Sequence, residues 1–270
     1  MALTTLQVGI LRLLAERRKR AGESYVAGGI ALNQALRAPR RSHDIDLFHD
    51  TDEALRESWQ ADRANLEAAG YVIEVIRENP GFVEATVRGA DGAVLIQWAR
   101  DSAFRFFPLV EDDLLGLVLH PFDLATNKAL ALVGRLEPRD WVDMVGCHDT
   151  IQPLGYLAWA ACGKDPGFSP EFMVEAASRQ HYPQAEINLL AFDGHVPSAA
   201  RLGAAWKIAV AEARKIVGLL PPETVGHGVM DASGNLYSGD AEHLAMAIAE
   251  ARLHFHSGTI GGVWPTLKSL

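Results

Sequence analysis

Residues 25–48 read YVAGGIALNQALRAPRRSHDIDLF. Tyr25 and Val26 run straight into Gly28 and Gly29. The run 30–36 then has helical character, and Pro39 ends it. A basic loop leads to Asp44-Ile45-Asp46-Leu47-Phe48, whose alternation is that of a strand. Side chains alternate between the two faces of a strand, so Asp44 and Asp46 share one face and Ile45 and Leu47 the other. Two carboxylates this close repel, and burying them without a cationic partner is costly.

Strand, glycine pair, short helix, basic loop and DIDLF together describe a place for a metal and a phosphate. Hard oxygen ligands on a rigid strand suit Mg²⁺ or Mn²⁺, which keeps waters and takes substrate phosphates as further ligands. Gly28 and Gly29 let backbone N–H groups and a helix N-terminus approach phosphate oxygens. Arg40, Arg41 and Ser42 add positive charge and donors. The plainer alternative is an edge strand with a solvated acidic face and a glycine turn. A lone DxD or a lone GG would merit it, whereas the full arrangement favours a metal-dependent phosphoryl or nucleotidyl transfer site.

Working outward, residues 3–20 read as an amphipathic helix, with Leu6, Ile10, Leu13 and Leu14 at helical spacing. The following Arg17-Arg18-Lys19-Arg20 reads as its solvated end. Residues 51–69 form a long helix with Thr51 as N-cap and Gly70 just beyond it. The runs YVIEVI (71–76), FVEATVRG (82–89) and AVLIQWA (93–99) are separated by Asn-Pro-Gly and Ala-Asp-Gly turns and read as an antiparallel meander. After a loop rich in Phe and Asp, His120-Pro121 opens a helix to Gly134, and Glu137-Pro138 opens another. Past residue 150 helices dominate: 153–162, 169–179, 200–219 and 240–255, with a hairpin at DASGNLY (231–237). This predicts an α+β fold, with a mixed, largely antiparallel sheet flanked by helices in residues 1–150 and a mainly helical region over 151–270.

Composition sets outer limits. The chain has 270 residues, 49% hydrophobic and 22% charged, which suits an ordinary globular protein with a sizeable core. A net charge of −9 argues against a whole-surface nucleic-acid coat. Two cysteines, Cys147 and Cys162, give neither a disulfide framework nor a cysteine zinc site. No apolar run approaches a membrane span and no secretion signal is evident, so a cytoplasmic protein is expected. His254 and His256 lack partners at zinc-ligand spacing, and His43 reads as a surface-loop residue.

The G-G…D-h-D-h pattern, with h apolar, resembles the nucleotidyltransferase superfamily that shares the DNA polymerase β fold. HPFDLATNKALALVGRLEPRDWVDM (120–144) narrows it. This segment is similar to the second signature of the AbiEii/AbiGii nucleotidyltransferase toxins, in which a lysine and an R-D-x-x-D helix follow the sheet. Lys128 and Arg139-Asp140-Trp141-Val142-Asp143 stand at those positions. The resemblance covers roughly residues 24–150. It implies an NTP substrate, an RNA acceptor such as a tRNA end or a protein acceptor, and a cognate antitoxin as partner. It further implies that Asp44 and Asp46 hold the metal and Gly28, Gly29 and Ser42 the phosphates, with Arg41 nearby. Lys128 would neutralise the leaving pyrophosphate, and Asp143 would orient Lys128 or the nucleophile. Arg135, seven residues after Lys128, shares its helix face and can add a phosphate contact. A structural salt-bridge cluster is the alternative for Arg135, Arg139 and Asp140.

One departure from the family pattern stands out. A third carboxylate is expected on a neighbouring strand, and Gln97 occupies that position. A glutamine carbonyl is a weaker ligand for Mg²⁺. Glu84 and Asp101 are the nearby carboxylates that can replace it. Two other functions therefore stay open: a nucleotidyltransferase acting on a small cationic acceptor of the aminoglycoside kind, and a degenerate, non-catalytic nucleotide- or partner-binding protein.

Overall fold

The computed structural model describes residues 3–265. The chain divides into two compact units. The first holds the chain up to Ala103, with Leu109–His120 and Ala191–Gly194; the second holds Phe104–Pro108, Pro121–Leu190 and the chain from His195 on. The boundary expected near residue 150 falls at the end of a helix inside the second unit.

The first unit begins with α1 (Thr5–Ala21), whose Thr4 side chain and Gln7 form a reciprocal capping box. Then come β1 (Ser24–Val26), α2 (Gly28–Leu36), β2 (Asp44–His49), α3 (Asp52–Ala68, capped by Thr51), β3 (Val72–Asn79), β4 (Phe82–Gly89) and β5 (Gly92–Arg100). The chain leaves the unit for β6 (Phe104–Arg105) and returns for β7 (Val110–Asp112) and β8 (Gly116–Val118). The sheet order is β3-β4-β5-β2-β1-β8-β7. The β3-β4-β5 meander is antiparallel, as its turns predict, while β2 pairs with β5 and β1 with β8 in parallel. The sheet is therefore mixed.

On β2 and β5, Ile45, Leu47, Ile96 and Trp98 are buried and alternate with the half-buried Asp44, Asp46, Leu95 and Gln97. The buried face takes α3: Trp98 Nε1 donates to Asp62 Oδ2 at 3.0 Å, and the Trp59 and Trp98 rings lie 4.7 Å apart. Each such large apolar side chain contributes about 1.5–3 kcal/mol on burial. Arg18 corrects the expectation of a solvated helix end. Only 2% exposed, it donates to Ser24 and the Leu115 carbonyl and lies 3.9 Å from Asp62. A guanidinium with these partners is stable where an unpaired one would not be.

The second unit comprises α4 (Pro121–Gly134), α5 (Pro138–Thr150), α6 (Leu154–Ala161), α7 (Pro170–Ser178), the four-residue α8 (Gln184–Ile187) and α9 (Ala199–Leu219). It continues through β9 (His227–Asp231), α10 (Ala241–Ala249), β10 (Leu253–Ser257) and β11 (Thr259–Ile260). Asp123, fully buried at the start of α4, accepts from the backbone N–H groups of Phe106 and Phe107 at 2.9 and 3.0 Å and pairs with Lys164 at 2.8 Å. A helix over 240–255 is overturned: α10 stops at Ala249, Ala251 takes φ 52°, and Arg252 N–H bonds back to Ala247. Residues 253–257 then pair antiparallel with β9, and β11 pairs with β6. His256 is buried, with its Nε2 2.8 Å from the Phe106 carbonyl oxygen. Cys147 and Cys162 are buried, and burial pushes both thiols up, Cys162 to about 12. Both are packed in the core, with burial favouring the neutral thiol.

Candidate functional site

The first unit brings Gly28, Gly29, Ser42, Asp44 and Asp46 together. α2 starts at the glycines themselves, two residues earlier than the sequence suggested, because Gly28 adopts φ +63° and lets the chain turn directly out of β1. A Cβ on Gly28 would lie 1.8 Å from Asp46 Oδ2. A Cβ on Gly29 would lie 2.5 Å from Ser42 Oγ and 3.2 Å from Arg40 Nη2. The glycine pair is thus the space in which the Asp46 carboxylate, the Ser42 hydroxyl and the Arg40 guanidinium meet the start of the helix. Ala27, the N-cap, offers no side-chain bond to the first-turn N–H groups. Those N–H groups carry the partial positive end of the helix dipole.

Of the two loop arginines, Arg40 is buried and reaches the glycines, while Arg41 is exposed and pairs with Asp193. The loop is held from downstream: Arg41 N–H bonds the Ala191 carbonyl at 2.8 Å, and Asp193 N–H bonds the Pro39 carbonyl at 2.7 Å. Burial of Arg40 was not legible in the sequence, since its neighbour 41 carries the same charge and the clasp comes from residues about 150 positions away.

The register settles the geometry around the third-ligand position. Asp46 stands opposite Gln97, and Gln97 opposite Glu84, in one row across β2, β5 and β4. Gln97 Nε2 donates to Glu84 Oε1 at 2.8 Å. Asp101 lies four residues beyond Gln97, about 13 Å along the strand direction, and its carboxylate accepts from Ser102 N–H. Among the described residues no three His, Cys, Asp or Glu side chains gather as a metal cage. Two carboxylates on one half-buried strand face still fit Mg²⁺, which needs only one or two protein carboxylates when phosphates and waters complete its shell.

In the second unit Lys128 is 8% exposed at its side chain and sits between two carboxylates, 2.8 Å from Asp140 Oδ1 and 3.0 Å from Asp143 Oδ2. Arg135 Nε closes on Asp140 Oδ2 at 2.6 Å, so Lys128 and Arg135 do share a helix face. Burial pushes the Asp140 carboxyl up, but the Arg135 hydrogen bond and the Lys128 charge outweigh it and hold it below the ordinary carboxylate range. The cluster ties α4 to α5.

Solved structures share this architecture. JHP933 from Helicobacter pylori superposes with a TM-score of 0.52 at 13% identity, covering 80% of this chain and 95% of that one. MenT4, a nucleotidyltransferase toxin from Mycobacterium tuberculosis, superposes with a TM-score of 0.54 at 16% identity, covering 81% of this chain and 85% of that one. This chain has the nucleotidyltransferase fold. The α+β class expected from the sequence is thereby shown, and the fold is the one that the resemblance drawn from GG…DIDLF and RDWVD implies. No family model and no curated protein sequence matches the chain. No helix among the described residues is long and apolar enough to cross a membrane.

Proposed function

We propose that this nucleotidyltransferase-fold protein is a cytoplasmic, Mg²⁺-dependent enzyme of the AbiEii toxin type, transferring NMP from an NTP to an acceptor hydroxyl on RNA, such as a tRNA end, or on protein. One observation carries the reading: Gly28 leaves its Cβ space to an Asp46 oxygen, so a carboxylate of a kind that suits a metal stands at the start of α2, whose N-cap Ala27 offers no side-chain bond. Asp44 and Asp46 would hold the metal, which when bound offsets phosphate charge and polarises the transferring phosphoryl group. The α2 N–H groups, Ser42 and Arg40 would orient the phosphates. Gln97, anchored on Glu84, leaves its carbonyl as a neutral ligand beside Asp46. Lys128 and Asp143 keep the roles the resemblance implies, and a cognate antitoxin would be the partner.

The test is transfer of label from each NTP to total RNA, to protein and to aminoglycosides. The wild type should label RNA or protein, and the double variant Asp44→Ala/Asp46→Ala should label nothing. Undiminished labelling by the double variant breaks the mechanism. Labelling of aminoglycosides alone would select the small-molecule reading, and NTP binding without any transfer would select the non-catalytic one.

A further inference from the structure

The first unit contains a cavity of about 390 Å³ that the reading above leaves unused. It runs along one stripe of α2, bordered by Ile30, Asn33, Gln34 and Arg37, and reaches Arg40 and Ser42 at the phosphate end. Its size suits a nucleoside.

Asn33 is 5% exposed, and neither its Nδ2 nor its Oδ1 has a hydrogen-bond partner. Gln34 donates through Nε2 to Asp112 at 2.9 Å, which leaves its Oε1 buried and unpaired as well. Leaving such groups unsatisfied costs about 1–3 kcal/mol each. A buried amide with both halves idle beside a cavity is therefore one that a polar ligand in that cavity can complete. Three functions are on offer: one donor and two acceptors.

We infer that this cavity receives the nucleobase of the nucleotide, its edge on Asn33 and Gln34 and its phosphates toward Ser42, Arg40 and the glycines. The inference rests on the nucleotidyltransferase reading and adds the base-recognising subsite to it. Asparagine pairs bidentately with a base edge through its donor and acceptor. The two carbonyl oxygens together call for two base N–H groups, and the Asn33 amide N–H for one base acceptor. Adenine and cytosine meet this with an exocyclic amine beside a ring nitrogen, and guanine with O6, N1–H and its amine. Uracil sets O2 or O4 against one of the two carbonyls. The site thus selects amino-bearing bases against uracil.

The experiment is calorimetric binding, with Mg²⁺ present, of ATP, GTP, CTP, UTP and inorganic triphosphate to the full chain. Wild type should bind at least one amino-bearing NTP about tenfold or more tighter than UTP. Asn33→Leu removes both amide functions and should bring that NTP down to the UTP level while triphosphate binding stays unchanged. Ala38→Phe fills the cavity from its rim, where Ala38 is only half-buried, and should have the same effect should the buried leucine unfold the protein. Undiminished discrimination in the folded variants, or no preference over UTP in wild type, overturns the subsite. A wild type that binds triphosphate and all four NTPs alike refutes the subsite and leaves the phosphate site standing; binding of none of them refutes both.

Discussion

Two clusters of carboxylates in this molecule are built on opposite plans. Lys128, Arg135, Asp140 and Asp143 form a closed set: each buried carboxylate meets a cation within 3.0 Å, and Lys128, Asp140 and Asp143 are nearly fully buried while Arg135 covers the set from a half-exposed position. Asp44 and Asp46 stand half-buried on one strand face, with a glycine pair in place of side chains beside them. A buried set of paired charges holds the fold whatever else it does, so its loss is felt first as stability. A half-exposed pair on a strand face stays within reach of solvent and ligand, so its loss is expected in binding more than in stability. Charge content alone does not separate the two; enclosure does.

The sharpest way to break the comparison is Lys128→Met. It removes the Lys128 pairing from Asp140 and Asp143 in a buried site, and should cost about 3–5 kcal/mol in urea unfolding, while Asp44→Ala should stay within about 1 kcal/mol of wild type. Similar losses in both variants would erase the distinction.

The second test uses the opposite face of β2. His49 is fully buried, its Nδ1 3.3 Å from the Ala99 carbonyl, and burial pushes its imidazole down to about 4. A histidine whose folded-state value is lowered stabilises the fold fully above its unfolded value and loses that stability as pH falls. Between pH about 6.5 and about 4, up to roughly 3 kcal/mol should disappear. His49→Leu should flatten this acid limb, and an unchanged limb would place the titration elsewhere.

The third test is Gly28→Ala. A residue with a Cβ at φ +63° costs about 1–3 kcal/mol, and this Cβ would also displace the Asp46 carboxylate. Mg²⁺-dependent NTP binding should therefore fall far more than stability does. Intact binding by a folded Gly28→Ala protein would detach the glycine from the site.

Local chemistry made much of this legible. β2 announced itself by alternation, β3 to β5 by their turns, α3 by Thr51, and α4 and α5 by their prolines. The acidic pair and its glycines were readable because both use short-range geometry. Strands of two or three residues, β6 to β8 and β11, are too short to show a period. α10 and β10 merged into one helical reading because the break is a single left-handed residue, Ala251, with nothing glycine-like to mark it. The parallel pairing of β2 with β5 depends on chain segments about 50 residues apart, so periodicity alone could not give the row from Asp46 through Gln97 to Glu84; only the resemblance pointed to Gln97 and Glu84 as neighbours of the pair. Asn33 reads as one polar residue in an amphipathic run; only the fold shows that its amide is enclosed and idle.

The segment Ala191–Gly194 has a consequence for how the protein can be dissected. A fragment ending at His120 would contain the whole seven-stranded sheet, the glycine pair and both strand aspartates, yet lack the four residues that grip Pro39 and Arg41. The sheet of such a fragment would be intact on paper while the loop carrying Arg40 and Ser42 swung loose. Competence of the loop is therefore a property of the long chain, and only chains that run past Gly194 are fair subjects for assay.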